Sequence, residues 1–391
     1  MAQTPSHPFG GVAIAGVHNT VQARTLPDHD STSIALVGAL GALADAGISP
    51  HEVDGVVGTD CAQIVLELGL GPCARRPTSL GIPALLDAAS LIITGQCNVV
   101  LVAAGGAGIH VDRTSTAPWT RPANELVVGY GLFTAAEFAL MARRHMITYG
   151  TTPEQLATVA ATIRTNGHVN PDAVYHGRGP FSPGDILASR MIADPFHLFD
   201  CATTSEGGCA IVLVASERAT ESAAAPLWIL GGASDSFGPA YTVAPVWDFQ
   251  PRTDSSPVGL VGARAAHMAF AMAGLTPADV DVAELYDPFS FEIIRQLEAF
   301  GFCEPGEGGP FVEDGNIGPG ATLPVTTDGG TMSFSHPGIN AQQLQRVIRA
   351  AQQLRGSCTT NQVDGAEVAL CSNGGAGALF CDVLLLGREP P

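Results

Sequence analysis

The stretch ELYDPFSFEIIRQLEAFGF, Glu284 to Phe302, joins two patterns. The run VDVAEL that leads into it is continuously apolar, as in strands buried on both faces. Beyond it, Phe289, Ile293, Ile294, Leu297 and Phe300 recur at helical spacing. Asp287 suits an N-cap and Pro288 the first helical position, so the helix is expected to start there. Tyr286, one of five tyrosines, therefore ends a strand just before a helix begins. In open α/β sheets that carboxyl edge is where ligands bind. On position alone, a tyrosine capping the core with its hydroxyl in water is an equal reading.

Outward from this junction the chain nearly repeats itself. AGLTPADVDVA (273–283) matches AGISPHEVDGV (46–56), each after an Ala/Gly/Leu-rich helical run (263–272 and 34–45). AEVALCSNGG (366–375) matches CNVVLVAAGG (97–106), and GALFCDVLLL (377–386) matches GGCAIVLVAS (207–216). Three pairs in the same order indicate a duplicated α/β unit. The halves are expected over 1–222 and 223–391, with TESAAAPLW as the linker near 220–226. The first half carries an insertion over about 107–200, with helices at 134–148 and 153–166.

Composition bounds the function. The chain has 391 residues, 46% of them hydrophobic, which is ample for a large core. Net charge is −19 and all 18 cations are arginine. Nucleic acid is thus not an expected partner, and Schiff-base chemistry on a lysine side chain is excluded. No apolar run is long enough for a membrane span, and MAQTPSHPFGG is not a secretory signal. Nine cysteines without a CxxC pair suggest a reducing, cytoplasmic setting and no zinc ribbon within this chain. The histidines show no metal-ligand spacing, so no metal is expected. Trp119 reads as a loop anchor, and His145 as a surface or interface residue.

Two further junctions carry polar chemistry. DGGTMSFSHPGINAQQLQRVIRAAQQLRG (328–356) sets His336-Pro337-Gly338 before a long helix. ALCSNGGAGALF (369–380) sets Cys371 and a glycine-rich turn after a strand, where bare backbone N–H groups can hold an oxyanion.

These motifs resemble the thiolase superfamily. GG-x-x-S-x-x-HPG is similar to the thiolase GHP motif, and CSNGGAG (371–377) to its C-x-G-G-G-x-G loop. ELYDPF stands where sterol-carrier-protein-type thiolases have an ELHDCF-type motif, and GYGLFTAAEFALMARRHMITYGTTPEQLA (129–157) is similar to the same branch. The resemblance covers nearly the whole chain. It implies an α/β thiolase fold, two duplicated halves in a five-layered αβαβα arrangement, normally dimeric, with a CoA thioester as substrate and no covalently bound cofactor.

The departures point to the chemistry. Where thiolases carry a nucleophilic cysteine at a helix N-terminus, RRPTSLGIPALL places Thr78, and Cys73 lies five residues earlier. Threonine does not readily form an anion. Tyr286 replaces the histidine of the second motif and Pro288 a cysteine, while His336 and Cys371 are retained. What remains suits chemistry through a thioester enolate without a covalent acyl-enzyme. The resemblance is to thiolase-like aldolases of bacterial steroid side-chain degradation, which form complexes with a small zinc-ribbon/OB-fold protein. It implies Tyr286 as acid/base and His336 as oxyanion donor or second acid/base. Asp287 orients the tyrosine or, preferably, caps the helix. Cys371 is a proton donor or a core residue, and Asn373 and Gly374 offer backbone donors. Those aldolases carry a histidine where this chain has Pro288, and a second tyrosine near the HPG region, where this chain reads MSFSHPG. Three readings stay open: retro-aldol lyase, thiolase or acyltransferase using another thiol, and non-catalytic acyl-CoA-binding subunit.

Overall fold

The computed structural model describes residues 7–78, 81–109, 134–236, 260–375 and 380–391, with the backbone alone at 339 and 340. The expected repeat is visible in the strand order. From the middle outward, one half runs β1 (Val12–Asn19), β7 (Gly207–Ala215), β4 (Val99–Gly106), β2 (Gly55–Val57) and β3 (Ala74–Arg76). The other runs β8 (Leu227–Ser236), β11 (Phe380–Gly387), β10 (Val368–Gly375) and β9 (Val282–Glu284). In each half the short strand is parallel to its neighbour, β2 to β4 and β9 to β10, and the next pairing is antiparallel. The halves join where Ala13 pairs with Trp228 and Ile14 with Leu227.

The duplicated AG-I/L-S/T-P segments fold alike for the same local reasons. Gly47 and Gly274 end helices α1 (Ser31–Ala46) and α7 (Ala263–Ala273) in the left-handed region, at φ 71° and 67°. Glycine reaches that region without a Cβ clash. Ser49 and Thr276 then open one-turn helices with proline inside the first turn and a reciprocal cap from Glu52 and Asp279.

Helices α1 and α2 (Cys61–Glu67) cover the outer face of the first half, and α7 and α8 (Ser290–Ala299) that of the second. Between the sheets lie α3 (Gly81–Ile93) and the helix after His-Pro-Gly, Ile339–Arg355. That last helix packs on strands β4 and β7 of one half and β9 and β10 of the other, which makes it the middle layer of an αβαβα stack. In the insertion, α4 (Thr134–Tyr149), α5 (Pro153–Val169) and α6 (Pro183–Ala188) pack over the second half; α9 (Gly308–Glu313) follows α8, and the middle helix is α10.

Two sequence expectations are corrected. Helix α8 begins at Ser290 with Phe289 in the N-cap position, not at Asp287-Pro288. The Asp287 carboxylate is engaged elsewhere, on a different segment. His145 is fully buried rather than at a surface, between Thr151 (Nδ1 to Oγ1, 2.7 Å) and Glu298 (Nε2 to Oε2, 3.0 Å). It ties the insertion to α8. Trp119 lies outside the described residues.

Helix α10 is polar yet buried, so its position depends on satisfied polar contacts. Arg346 donates two hydrogen bonds to Asp328, at 2.7 and 2.9 Å, and lies 3.6 Å from Glu284. Arg349 donates to Thr327 Oγ1, which in turn donates to Glu284. These side chains are all at most 3% exposed. Opposite charges hold each other where water cannot. Arg346→Met is expected to lower unfolding stability by about 3–5 kcal/mol, because it leaves carboxylates buried without their counter-charge. Urea unfolding of the full chain measures it.

Candidate functional site

The turn that carries the His-Pro-Gly loop, Gly330–Phe334, is a five-residue π-helical turn, a form that often marks functional sites. Nothing within the turn satisfies its leading N–H groups, and Asp287 does so from outside. Asp287 Oδ1 accepts the Thr331 N–H (2.7 Å) and Oδ2 the Met332 N–H (3.1 Å), while the Thr331 hydroxyl donates to the Asp287 carbonyl (2.7 Å). On the other side, Arg164 of α5, itself buried, donates to the carbonyls of Met332, Phe199 and Cys201. Gly330 has φ 57°, and a Cβ there would meet the Asp287 carboxylate at 2.2 Å. Only glycine fits. Burial pushes the Asp287 carboxyl up to about 7, against Arg346 and the two N–H donors.

Next along the loop, the His336 N–H donates to Ser205 Oγ (2.7 Å), and Pro337 lies against the end of β4. A Cβ on Gly106 would fall 1.7 Å from the Pro337 carbonyl oxygen, which accounts for the Gly-Gly ending of that strand. The His336 ring is half-buried, and desolvation pushes it down to about 4. It is therefore a neutral imidazole at pH 7, able to donate one N–H but not to act as a standing cation.

Tyr286 sits two residues past the end of β9 and is 5% exposed. Its N–H donates to Ser372 Oγ (2.9 Å), and its carbonyl accepts from Gln296 Nε2 (2.7 Å). Ser372 also donates to Gln296 Oε1, closing the clamp. The Tyr286 hydroxyl oxygen accepts from Gln342 Nε2 (3.3 Å), and the ring passes beside Gly374, 3.6 Å from where a Cβ would stand.

Alternation along β10 separates the residues of CSNGG. Ser372 faces Tyr286 and α8, whereas Cys371 and Asn373 face α10. Asn373 Nδ2 donates to Gln343 Oε1 (2.9 Å), which also accepts the Gly81 N–H at the start of α3 (3.0 Å). Gln343 Nε2 donates to the Gly374 carbonyl (3.3 Å). One glutamine thus binds α3, α10 and β10 together. Thr78 stands three residues before Gly81 and is half-buried; Ser79 and Leu80 lie outside the described residues.

Cys371 is fully buried in the apolar layer between the sheets, with its thiol toward the Arg346 carbonyl, and burial holds it well above the usual thiol range. Burial likewise pushes Cys73 up to about 11. Neither is set to be a thiolate at neutral pH. Consecutive glutamines of α10 thus serve two sides of the site: Gln342 meets the Tyr286 hydroxyl, and Gln343 holds Asn373, Gly374 and the α3 N-terminus. Asp287 serves the His336 loop, and Cys371 lies one strand repeat deeper than Asn373.

Ser372, Gln296, Gln342 and Gln343 were not singled out by the sequence reading. The available signal was NAQQLQR, a run of polar residues opening a helix in a chain with few charges. A cavity of about 520 Å³, flanked by His18, Asn170, Asp328, Phe334 and Arg349, opens behind the turn and does not reach Tyr286 or His336. Among the described residues no three His, Cys, Asp or Glu side chains gather to hold a metal ion, and no helix is long and apolar enough to cross a membrane.

Residues 251–388 match the family model described as "Thiolase C-terminal domain-like". The chain is 32% identical to 17-hydroxy-3-oxo-4-pregnene-20-carboxyl-CoA lyase of Mycobacterium tuberculosis, over 93% of this chain and 96% of that protein. It is 31% identical to acetyl-CoA acetyltransferase of Methanothermobacter thermautotrophicus, over 94% and 97%. A solved structure described as Ltp2-ChsH2(DUF35) aldolase superposes with a TM-score of 0.84 at 28% identity, covering 98% of this chain and 99% of that one. With its αβαβα layers, its duplicated halves and relatives matched along nearly their whole length, the chain belongs to the thiolase superfamily, in the branch of the sterol-carrier-protein-type thiolases and steroid side-chain aldolases.

Proposed function

We propose that this protein is a carbon–carbon lyase that cleaves a β-hydroxyacyl-CoA thioester by a retro-aldol reaction. The observation that carries the reading is the clamped Tyr286 beside Gly374, together with thiols that burial keeps protonated; the motif resemblance, which sets Thr78 where thiolases have their nucleophile, supports it. A phenolate at Tyr286 takes the β-hydroxyl proton. The Cα–Cβ bond breaks, its electron pair enters the thioester as an enolate, and a ketone or aldehyde leaves. The enolate oxygen is held by donors, with the neutral His336 ring suited to give one N–H and the backbone around Asn373 and Gly374 others. Return of the proton to Cα yields a shorter acyl-CoA and regenerates the phenolate. No oxidant and no free CoA enter the balance.

The neutral ring of His336 favours the oxyanion-donor role over a second acid. Asp287 orients the His336 loop rather than the tyrosine hydroxyl, since both its oxygens are taken by the turn. Cys371, fully buried and protonated, is assigned a packing role ahead of proton donation. The names of the lyase and aldolase relatives support a steroid-type acyl group. We infer a homodimer, and a small zinc-ribbon/OB-fold partner in keeping with the two protein names coupled in that solved structure's description. All nine cysteines are free, which fits a reducing cytoplasm. The two halves, 1–222 and 223–391 with the insertion at about 107–200, are kept as the domain division. Acyl transfer, the activity in the name of the acetyltransferase relative, is the second reading and requires CoA as acceptor.

The test is product analysis by mass spectrometry. Purified protein, with any co-encoded partner, meets branched β-hydroxyacyl-CoA and β-ketoacyl-CoA thioesters with and without free CoA. A short acyl-CoA plus a carbonyl product from the hydroxy substrate, without CoA, is expected; cleavage of the keto substrate only when CoA is added would overturn the reading. Tyr286→Phe is expected to lower kcat by about 100-fold or more. The His336 ring, assigned by comparison with His336→Gln, is expected to show no NMR shift change between about pH 5.5 and 8, because its lowered pKa leaves it neutral above about 4.

A further inference from the structure

We propose that Gln342 is a positioning residue that serves the Tyr286 phenol in both of its protonation states by turning its side-chain amide. The inference rests on the reading of Tyr286 as the base. A phenol must donate its O–H to an acceptor, whereas a phenolate must accept from a donor. A primary amide carries both at the same reach. Gln342 lies in the first turn of α10, 1% exposed, and its Nε2 donates to Tyr286 Oη at 3.3 Å. Its Oε1 is buried with no hydrogen-bond partner among the described residues.

That freedom distinguishes it from Gln343 and Gln353; Gln345 also has a buried Oε1 without a partner, but its Nε2 donates to Gln22 and not to a tyrosine. Turning Gln343 would break bonds to Gly81, Asn373 and Gly374. Gln353 is fixed at both ends, its Nε2 donating to Thr327 and Asn361 and its Oε1 accepting from Gln362 and Val363. Among the described residues Gln342 is held at its amide nitrogen alone, so a half-turn costs no other hydrogen bond there. With Nε2 toward the oxygen, the amide stabilises the phenolate that begins the reaction. With Oε1 there, it receives the O–H of the phenol that follows proton transfer.

Titratable groups on the elements packed here include Glu284, Asp287, Glu292, Arg295, Asp328, His336, Arg346, Arg349, Cys371, Cys381 and Asp382. Glu284, Asp328 and Arg346 pair among themselves, and Asp287 holds the turn. None of these groups hydrogen-bonds Gln342 among the described residues, so its amide can follow the protonation of the phenol.

The experiment is an ultraviolet absorbance titration of tyrosine ionisation in the full chain. Subtracting the Tyr286→Phe trace from the parent isolates Tyr286 among the five tyrosines. Gln342→Met keeps the volume and removes both donor and acceptor. The isolated Tyr286 ionisation is expected to move up by about one pH unit. The alkaline rise of kcat should move with it, while KM stays within about twofold. Gln342→Glu keeps the shape, adds a negative charge beside the phenolate and is expected to shift it in the same direction; it decides the matter if the methionine variant does not fold. An unchanged Tyr286 ionisation in the folded variants overturns the proposal. Because the absorbance readout needs no turnover, loss of the lyase reading and loss of this coupling are separate results.

Discussion

One carboxylate, that of Asp287, sets the geometry on which the candidate site depends. The segment before His336 turns back as a wide helical turn whose first N–H groups have no acceptors of their own. Asp287 supplies both, and its own backbone follows Tyr286 directly. The tyrosine and the histidine loop therefore cannot shift independently. The same carboxylate closes the space over Gly330, so the GG of DGGTMSF is a packing requirement as well as a conformational one. Arg164 grips the turn's other side through the Met332 carbonyl and ties it to the Phe199 and Cys201 carbonyls, bringing the insertion into the same assembly.

Electrostatics then assigns protonation states. The central helix is seated by Arg346 and Arg349 against Glu284 and Asp328, all of them buried. Around this cluster burial dominates. It lifts Asp287 to about 7 and the Cys371 thiol well above its usual range, and it lowers His336 to about 4. The Cys371 thiol holds its proton and the His336 ring gives its proton up. Such a site disfavours a thiolate nucleophile and an imidazolium acid, and it suits a neutral hydrogen-bond donor opposite a developing enolate.

Much of the fold was legible because its signals are local. The repeated Gly, Ser/Thr and Pro of AGISP and AGLTP each require one backbone conformation, and that conformation recurs in both halves. Apolar runs became β4, β7 and β10, and the helical run at 263–272 became α7 almost residue for residue. The reading of Asp287 as an N-cap failed for an instructive reason. Asp-Pro before an apolar periodicity is a sound local signal, but a buried carboxylate serves whichever N–H groups lack partners, and those lay 44 residues onward. His145 was misplaced similarly, because its partner Glu298 is 153 residues distant.

By itself the sequence determined the duplicated α/β architecture, the strand-end placement of Tyr286, the position of the His-Pro-Gly loop and the absence of any lysine. Those follow from periodicity, turn chemistry and composition, which act over a few residues. Only the tertiary structure decided which polar groups meet: Ser372 and Gln296 on the Tyr286 backbone, Gln342 on its hydroxyl, Gln343 between two helices and a strand. Glutamine and serine have no spacing rule that announces a buried role. Their partners are chosen by which donors and acceptors remain unpaired once the layers have closed and water has left.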